Sequence, residues 1–391
     1  MCEHREVANN AEASRAAGAG LADLGSRPDR LLGGTSRLRR ALPVMFWNGR
    51  EGTTLAFGKW ISDLKATTPI VDAARHVLTV RLEVVRDCLP LALQHADKDP
   101  EHVHQLRVGT RRARAALDIF ACCLPLKVYK GACKHLRSIR QVAGEARDWD
   151  VFLASLTQWA REHGRKMSPG LDCLVGYAVA KREAAQLQLE EAGKDYPFAF
   201  ERFLAETVAA VHKPNDSRLR TLLDQALPRL TDLLRELDEA ASLDLEDYEH
   251  LHQIRILGKR LRYAMEVFAD CFAPAFRAEL YPAVEEIQEI LGNANDSYVV
   301  CARLEALSAR LQVVVPVEWK RHRPGLEGLL HYHQTRLPQE RQRFQDWWAR
   351  WCQSGGEAAF SALLENAGEC SLEVAPPHLA LPTRTDLSRA L

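Results

Sequence analysis

One segment of this chain occurs twice, and that repetition limits what the chain can fold into. Residues 104–114 read HQLRVGTRRAR and residues 252–262 read HQIRILGKRLR. Each copy holds one histidine and four cations with no acid among them. The offset is 148 residues and continues without a gap: Phe120 answers Phe268, Ile139 Ile287, Gly144 Gly292, Ala146 Ala294, Asp148 Asp296 and Val151 Val299. Repeats of roughly 20–50 residues build solenoids. A unit this long implies a duplicated bundle, two similar halves facing each other.

Both copies have helical period. Leu106, Ala113, Leu117 and Phe120 share one face, as do Ile254, Leu261, Met265 and Phe268. On the opposite face His104, Arg107, Arg111 and Arg114 stand at i, i+3, i+7 and i+10, a stripe about 80° wide. His252, Arg255, Lys259 and Arg262 form the matching stripe, while Arg112 and Arg260 lie off it. Like charges one turn apart repel, and a solvated face usually mixes signs. These stripes do not, and they keep register while their neighbours drift (Gly109 to Leu257, Ala115 to Tyr263). The pattern suits a surface that holds a polyanion. A further basic stripe, Lys127, Lys130, Lys134 and Arg137 with Arg140 beyond, occurs only in the first half. By itself it fits a ligand contact as well as a solvated face. The second half carries Glu285, Glu286 and Glu289 in that region, so the first half is expected to hold more of any anion.

At these residues the sequence resembles the CHAD family, the conserved histidine α-helical domain. Its signatures are similar to HxLRVxxRRxRxxLxxF followed by LGxxRDxDV, and to HxxRIxxKxLRYxxEFF followed by LxxLGxxND. Here they run from His104 to Phe120 with Ala143 to Val151, and from His252 to Phe268 with Leu291 to Asp296. Ala143 stands where leucine usually precedes the glycine. The resemblance covers about residues 65–352. It implies an all-α fold of two antiparallel four-helix bundles related by internal pseudo-twofold symmetry, with the signature helices meeting at a basic central groove or pore. It implies that long-chain inorganic polyphosphate binds there. Carried over, the contacts are Arg107, Arg111, Arg112, Arg114, Arg255, Lys259, Arg260 and Arg262, with His104 and His252 lining the same surface. Neither a cofactor nor catalysis is expected.

The chemistry of the residues agrees. Polyphosphate has no bases to read, so it needs a continuous stripe of cations rather than a pocket. Arginine grips neighbouring oxygens with a planar fork and lysine acts as a point charge. The 391 residues hold 52 basic and 52 acidic side chains. A general nucleic-acid coat would be basic overall, whereas here the charge is concentrated. Weak nucleic-acid binding is expected, but aromatics are not interleaved with the cations as in single-strand binders. A metal-dependent enzyme is a further alternative. Each stripe supplies one histidine and no carboxylate at i+4, against the two ligands per helix usual in metal bundles. Asp148 and Asp296 read as helix caps, and Gly144 as a turn or a close backbone approach.

Ten cysteines without CxxC spacing read as thiols in a reducing compartment; Cys122 and Cys123, adjacent in a helix, should point apart. No apolar run reaches the roughly 18 residues of a membrane span, and no signal peptide is apparent, so a cytoplasmic protein, able to associate with polyphosphate granules, is expected. Residues 1–64 read as a disordered extension, with Met45-Phe-Trp as an alternative start or a docking segment. The helical domain is expected over 65–352, its halves about 65–212 and 218–352 joined near Pro214-Asn-Asp-Ser, and its last helix about Pro324 to Cys352. Trp347, Trp348 and Trp351 read as packing residues there. Residues 353–391 read as a loosely held tail.

Overall fold

The computed structural model describes residues 58–163, 169–243 and 245–367. Ten α-helices follow one another there, and no strand occurs among the described residues. The first half is α1 (Ile70–Gln94), α2 (Glu101–Ile119), α3 (Leu126–His163) and α4 (Pro169–Gly193). The second half repeats the order as α6 (Leu222–Ala241), α7 (Tyr248–Phe268), α8 (Tyr281–Val314) and α9 (Pro316–Gln353). α5 (Tyr196–Ala209) follows the first set and α10 (Gly356–Glu365) the second. The short 3₁₀ turns Ala121–Cys123 and Ala269–Cys271 repeat at the sequence offset.

Sequential helices pack as antiparallel neighbours: α1 on α2, α2 on α3, α3 on α4, and likewise through α6 to α9. The halves meet where α2 touches α7 and where α4 lies on α9. The starts of α1 and α6 bond reciprocally, Ile70 N–H to Arg220 O at 2.9 Å and Leu222 N–H to Thr68 O at 2.8 Å. The two bonds close an isolated antiparallel bridge between Pro69 and Thr221. Local signals set the starts. Thr221 and Asp224 form a capping box on α6, the Asp247 side chain accepts from Glu249 N–H on α7, and Asp99 accepts from Glu101 N–H on α2. The apolar faces close the core, with Leu106, Leu117, Phe120, Ile254, Leu261, Met265 and Phe268 all buried.

One buried ion cluster joins the halves. The Glu266 carboxylate on α7 is fully enclosed. Arg112 of α2 binds it through Nε at 2.7 Å and Nη2 at 3.1 Å, and Arg81 of α1 lies 3.5 Å away. The Tyr281 hydroxyl donates to it at 2.9 Å. Arg81 also donates to the carbonyls of Gly58 (2.7 Å) and Lys59 (2.9 Å). That holds a segment expected to be disordered: Ile61 and Leu64 are buried, and Trp60 packs on Tyr281 with ring centres 4.6 Å apart. The segment has too few residues to show a period, and its anchors come from distant helices. The Met45 reading lies outside the described residues.

Several boundaries differ from expectation. α3 and α8 run unbroken through Gly144 and Gly292, so Asp148 and Asp296 are mid-helix residues rather than caps. α9 begins at Pro316 and continues through Pro324 and Pro338; each proline forfeits one helical hydrogen bond, which the remaining helical residues outweigh. Trp347 is buried, and its indole N–H donates to Glu286 at 3.0 Å. Beyond it α10 docks through Phe360 and Leu364, both buried, with Phe360 edge-on to Phe276. Three large apolar side chains in ten residues (Phe360, Leu363 and Leu364) are too few to declare a helix before its partner is known. Cys122 and Cys123 sit in the 3₁₀ turn rather than a helix, and their sulfurs approach to 3.9 Å.

Glu266→Ala would leave the Arg81 and Arg112 guanidiniums buried without a counter-charge. We expect a loss of about 3–5 kcal/mol of stability, measured by urea denaturation, with the segment around Trp60 becoming accessible to protease. A loss below about 1 kcal/mol, the scale of an exposed pair, would show that the cluster does not join the halves.

Candidate anion-binding site

The contact between α2 and α7 brings the two basic stripes together. Burial and mutual repulsion record this. The Arg111 guanidinium is lowered from its ordinary value by burial first, with Arg107, Arg255 and Arg262 among the neighbours that repel its charge. The Lys259 ammonium is lowered well below its usual range by burial, then by Arg255, Arg111 and Arg262. Burial also lowers Arg255, with Arg107 adding to it. Cations of both halves therefore share one partly enclosed space.

Their partners divide them. Arg111, Arg255 and Lys259 have no acid paired with them among the described residues, and the Nε atoms of Arg111 and Arg255 are buried without a hydrogen bond. Asp296 acts on Arg255 and Lys259 from beyond ion-pair distance. Arg107 is already held, with Nη1 donating to Asp148 at 2.8 Å and to the Gly144 carbonyl at 3.0 Å. A Cβ at position 144 would stand 4.0 Å from the guanidinium carbon, an ordinary van der Waals contact, so neither a turn nor a close approach requires glycine here. Arg114 pairs with Asp118 (2.9 Å), and Arg262 lies 3.7 Å from Glu285. The two off-stripe cations have other tasks. The fork of Arg112 is occupied by Glu266, and Arg260 pairs with Glu236 at 3.1 Å. The structure thus commits both to ion pairs within the fold.

The second stripe is placed on α3. Lys127, Lys130, Lys134 and Arg137 are exposed and Arg140 is half-buried. The antiparallel register set by Arg107 on Gly144 brings Arg140 level with Arg111 and Arg137 level with Arg114. The equivalent positions in the second half are Gln288 and Glu285. Gln288 donates to the Arg255 carbonyl, and Glu285 binds Lys59 at 3.1 Å. Along α3 and α8 the charge therefore favours the first half, as expected. Within the facing rows it favours the second, because Asp148 pins Arg107 while Arg255 and Lys259 stay unpaired.

Two arginines escaped the sequence reading. Arg147 is lowered by burial first and then set among Asp150, Glu101, Arg107 and Asp296. It continues the series Arg137, Arg140, Gly144 at helical spacing, a signal that the glycine interrupted. Arg303 of α8 crosses to the other half, donating to the Asp148 carbonyl at 3.0 Å and lying 3.9 Å over the Trp149 ring. No local pattern marks it, since its role exists only once α8 lies near α3. Among the described residues no group of three or more His, Cys, Asp or Glu is placed to hold a metal ion. No helix among them is long and apolar enough to cross a membrane.

The CHAD domain matches residues 76–305, more than half of the sequence. The chain belongs to the CHAD domain family. Two solved structures share the fold. A CHAD domain from the plant Ricinus communis is 24% identical with a TM-score of 0.57, covering 75% of this chain and 94% of that one. PptA from Streptomyces chartreusis is 19% identical with a TM-score of 0.56, covering 72% of this chain and 100% of that one. No curated protein matches the chain.

The histidines of this CHAD domain lie among its cation rows, and both are lowered from the ordinary histidine value. His104 is held down to about 3, by burial first and then by Arg147, Arg111, Arg107 and Arg112. His252 is lowered by burial and by Arg255. Both are neutral near pH 7. An anion between the rows offsets the repulsion and raises both histidines and Lys259, so the bound form holds more protons. Affinity for a polyanion should rise as pH falls below the bound-form values of the histidines and level off toward their lowered values, about 3 for His104. Calorimetry in two buffers of different ionisation enthalpy should show proton uptake, reduced by His104→Gln with His252→Gln. Equal heats in both buffers would exclude the linkage.

Proposed function

We propose that the facing stripes of α2 and α7 hold long-chain inorganic polyphosphate, without catalysis. The observation that carries this is the group Arg111, Arg255 and Lys259: three half-buried cations from two halves, unpaired and close enough to repel. Burying like charges without counter-ions costs free energy, and a polyanion lying between them removes that cost. Each charge-assisted contact contributes about 1.5–3 kcal/mol before screening. A linear chain with a charge at each phosphate can meet Arg107, Arg111 and Arg114 on one wall and Arg255, Lys259 and Arg262 on the other. His104 and His252 line the same surface, and Arg147, Arg140 and Arg137 extend it along α3. Family membership supports the reading, because the CHAD resemblance implies this ligand.

No step that breaks the phosphate chain is assigned. Of the aspartates near the rows, Asp148 is engaged with Arg107, and Asp296 stands exposed at the edge. The protein acts as a holder, and a chain longer than the groove would tether it to larger polyphosphate deposits such as granules. Duplex DNA is the rival ligand. Its phosphates lie on a wide stiff rod, whereas the cations here are half-buried between helices and favour a thin flexible chain.

Long-chain polyphosphate should be titrated at two salt concentrations with duplex DNA as competitor. Wild type should bind tightly, weaken with salt through counter-ion release, and not be displaced by DNA. A variant carrying Arg107→Ala, Arg111→Ala, Arg255→Ala and Lys259→Ala should lose at least about a hundredfold in affinity, consistent with several lost charge-assisted contacts, while keeping its helical signal. Arg255→Ala with Lys259→Ala should cost at least as much as Arg107→Ala with Arg111→Ala, because Arg107 keeps an internal partner. Binding that survives the fourfold change, or a preference for DNA, would assign the stripes to another partner.

A further inference from the structure

At one end the α7 stripe runs into aromatic rings. Tyr248 stands one turn before His252 on the stripe face, and its ring lies 6.1 Å from that histidine. Tyr298 of α8 stacks on Tyr248 with ring centres 3.6 Å apart and planes within 7°. Asn295 accepts from the Tyr248 hydroxyl at 3.1 Å and fixes the inner ring. Tyr298 remains 42% exposed. The first half has no counterpart, since the equivalent positions are Pro100 and Asp150. Scaffold packing shared by both halves therefore does not account for the pair.

We propose that this tyrosine stack extends the groove into a site for a nucleoside oligophosphate, with the base on Tyr298 and the phosphates on Arg255 and Lys259. The inference rests on the reading of the stripes as a phosphate-chain groove and adds a ligand class to it. Seven residues separate Tyr248 from Arg255, about 10 Å of helix, a gap for the sugar to cross. Charge sets the direction. Glu249 and Asp296 are exposed at this mouth and disfavour phosphate there, while an uncharged base is tolerated and the phosphates point inward to the unpaired cations. An aromatic face accepts any base because every base has a π-face. A single platform followed by cations fits one base and its phosphates better than a run of bases, which needs repeated platforms.

The test compares adenosine triphosphate with inorganic tripolyphosphate, similar in charge but lacking a base, in the absence of divalent metal. The full chain should bind adenosine triphosphate at least about fivefold more tightly, the low end of base–aromatic stacking. Tyr298→Ala should abolish that preference and leave affinity for tripolyphosphate and long-chain polyphosphate unchanged. Tyr298→Phe should keep the preference, and melting curves of all three proteins establish that the variants fold. Equal affinity of wild type for the two probes, or equal weakening of both by Tyr298→Ala, would overturn the platform while leaving the groove intact. A single-stranded oligonucleotide that binds more tightly than adenosine triphosphate and depends on Tyr298 would replace the proposed ligand with nucleic acid. Failure of wild type to bind tripolyphosphate or long-chain polyphosphate would overturn the groove itself, and this site with it.

Discussion

Where α2 meets α7, rows of like charge face each other, and the rest of the molecule has to hold them there. Arg111, Arg255 and Lys259 repel across that contact with no paired acid to relieve them. The opposing force comes from the apolar faces beneath the rows and from Glu266. That single buried carboxylate takes Arg112 from one half and a tyrosine from the other, and reaches Arg81, which in turn holds the segment before α1. A buried pair of this kind adds modest net stability, but losing one member is costly. It therefore fixes how the halves sit more than how tightly they hold. The repulsion persists in the folded state, and on the proposed reading a bound polyanion would relieve it.

Duplication supplied the frame and divergence supplied the chemistry. The helices, the 3₁₀ turns and the stripes recur at nearly constant offset, yet the surroundings of equivalent side chains differ. Asp118 binds Arg114 within its own half, whereas its counterpart Glu266 binds across to Arg112. Arg137 and Arg140 enrich the flank of α3, and their counterparts Glu285 and Gln288 bind groups of the fold instead. Arg107 is pinned by Asp148, while Arg255 is left open beside Asp296. Equivalent backbones thus present one wall with charge spread along it and one wall with charge held ready at its centre.

Much of this was legible before any fold was known. The stripes, their helical period and the off-stripe places of Arg112 and Arg260 follow from spacing; that these two, expected among the anion contacts, pair with Glu266 and Glu236 does not. Other readings failed for identifiable reasons. Asp148 resembles a cap because apolar period resumes after it and a glycine precedes it, but helix continuity depends on what α3 packs against. Residues 58–64 and α10 are too short to bury a face alone, so their order is borrowed from Arg81, Tyr281 and Phe276. Arg303 carries no pattern at all.

The sequence by itself determined that the chain is helical, that it is doubled, and that each half carries one row of cations on one face, because periodicity and charge sign are local properties. Only the tertiary structure decided which cations are neutralised and which stay open. Pairing depends on which acid arrives within about 4 Å through space, the range at which an ion pair forms, and residues such as Arg112 and Glu266 are 154 positions apart along the chain.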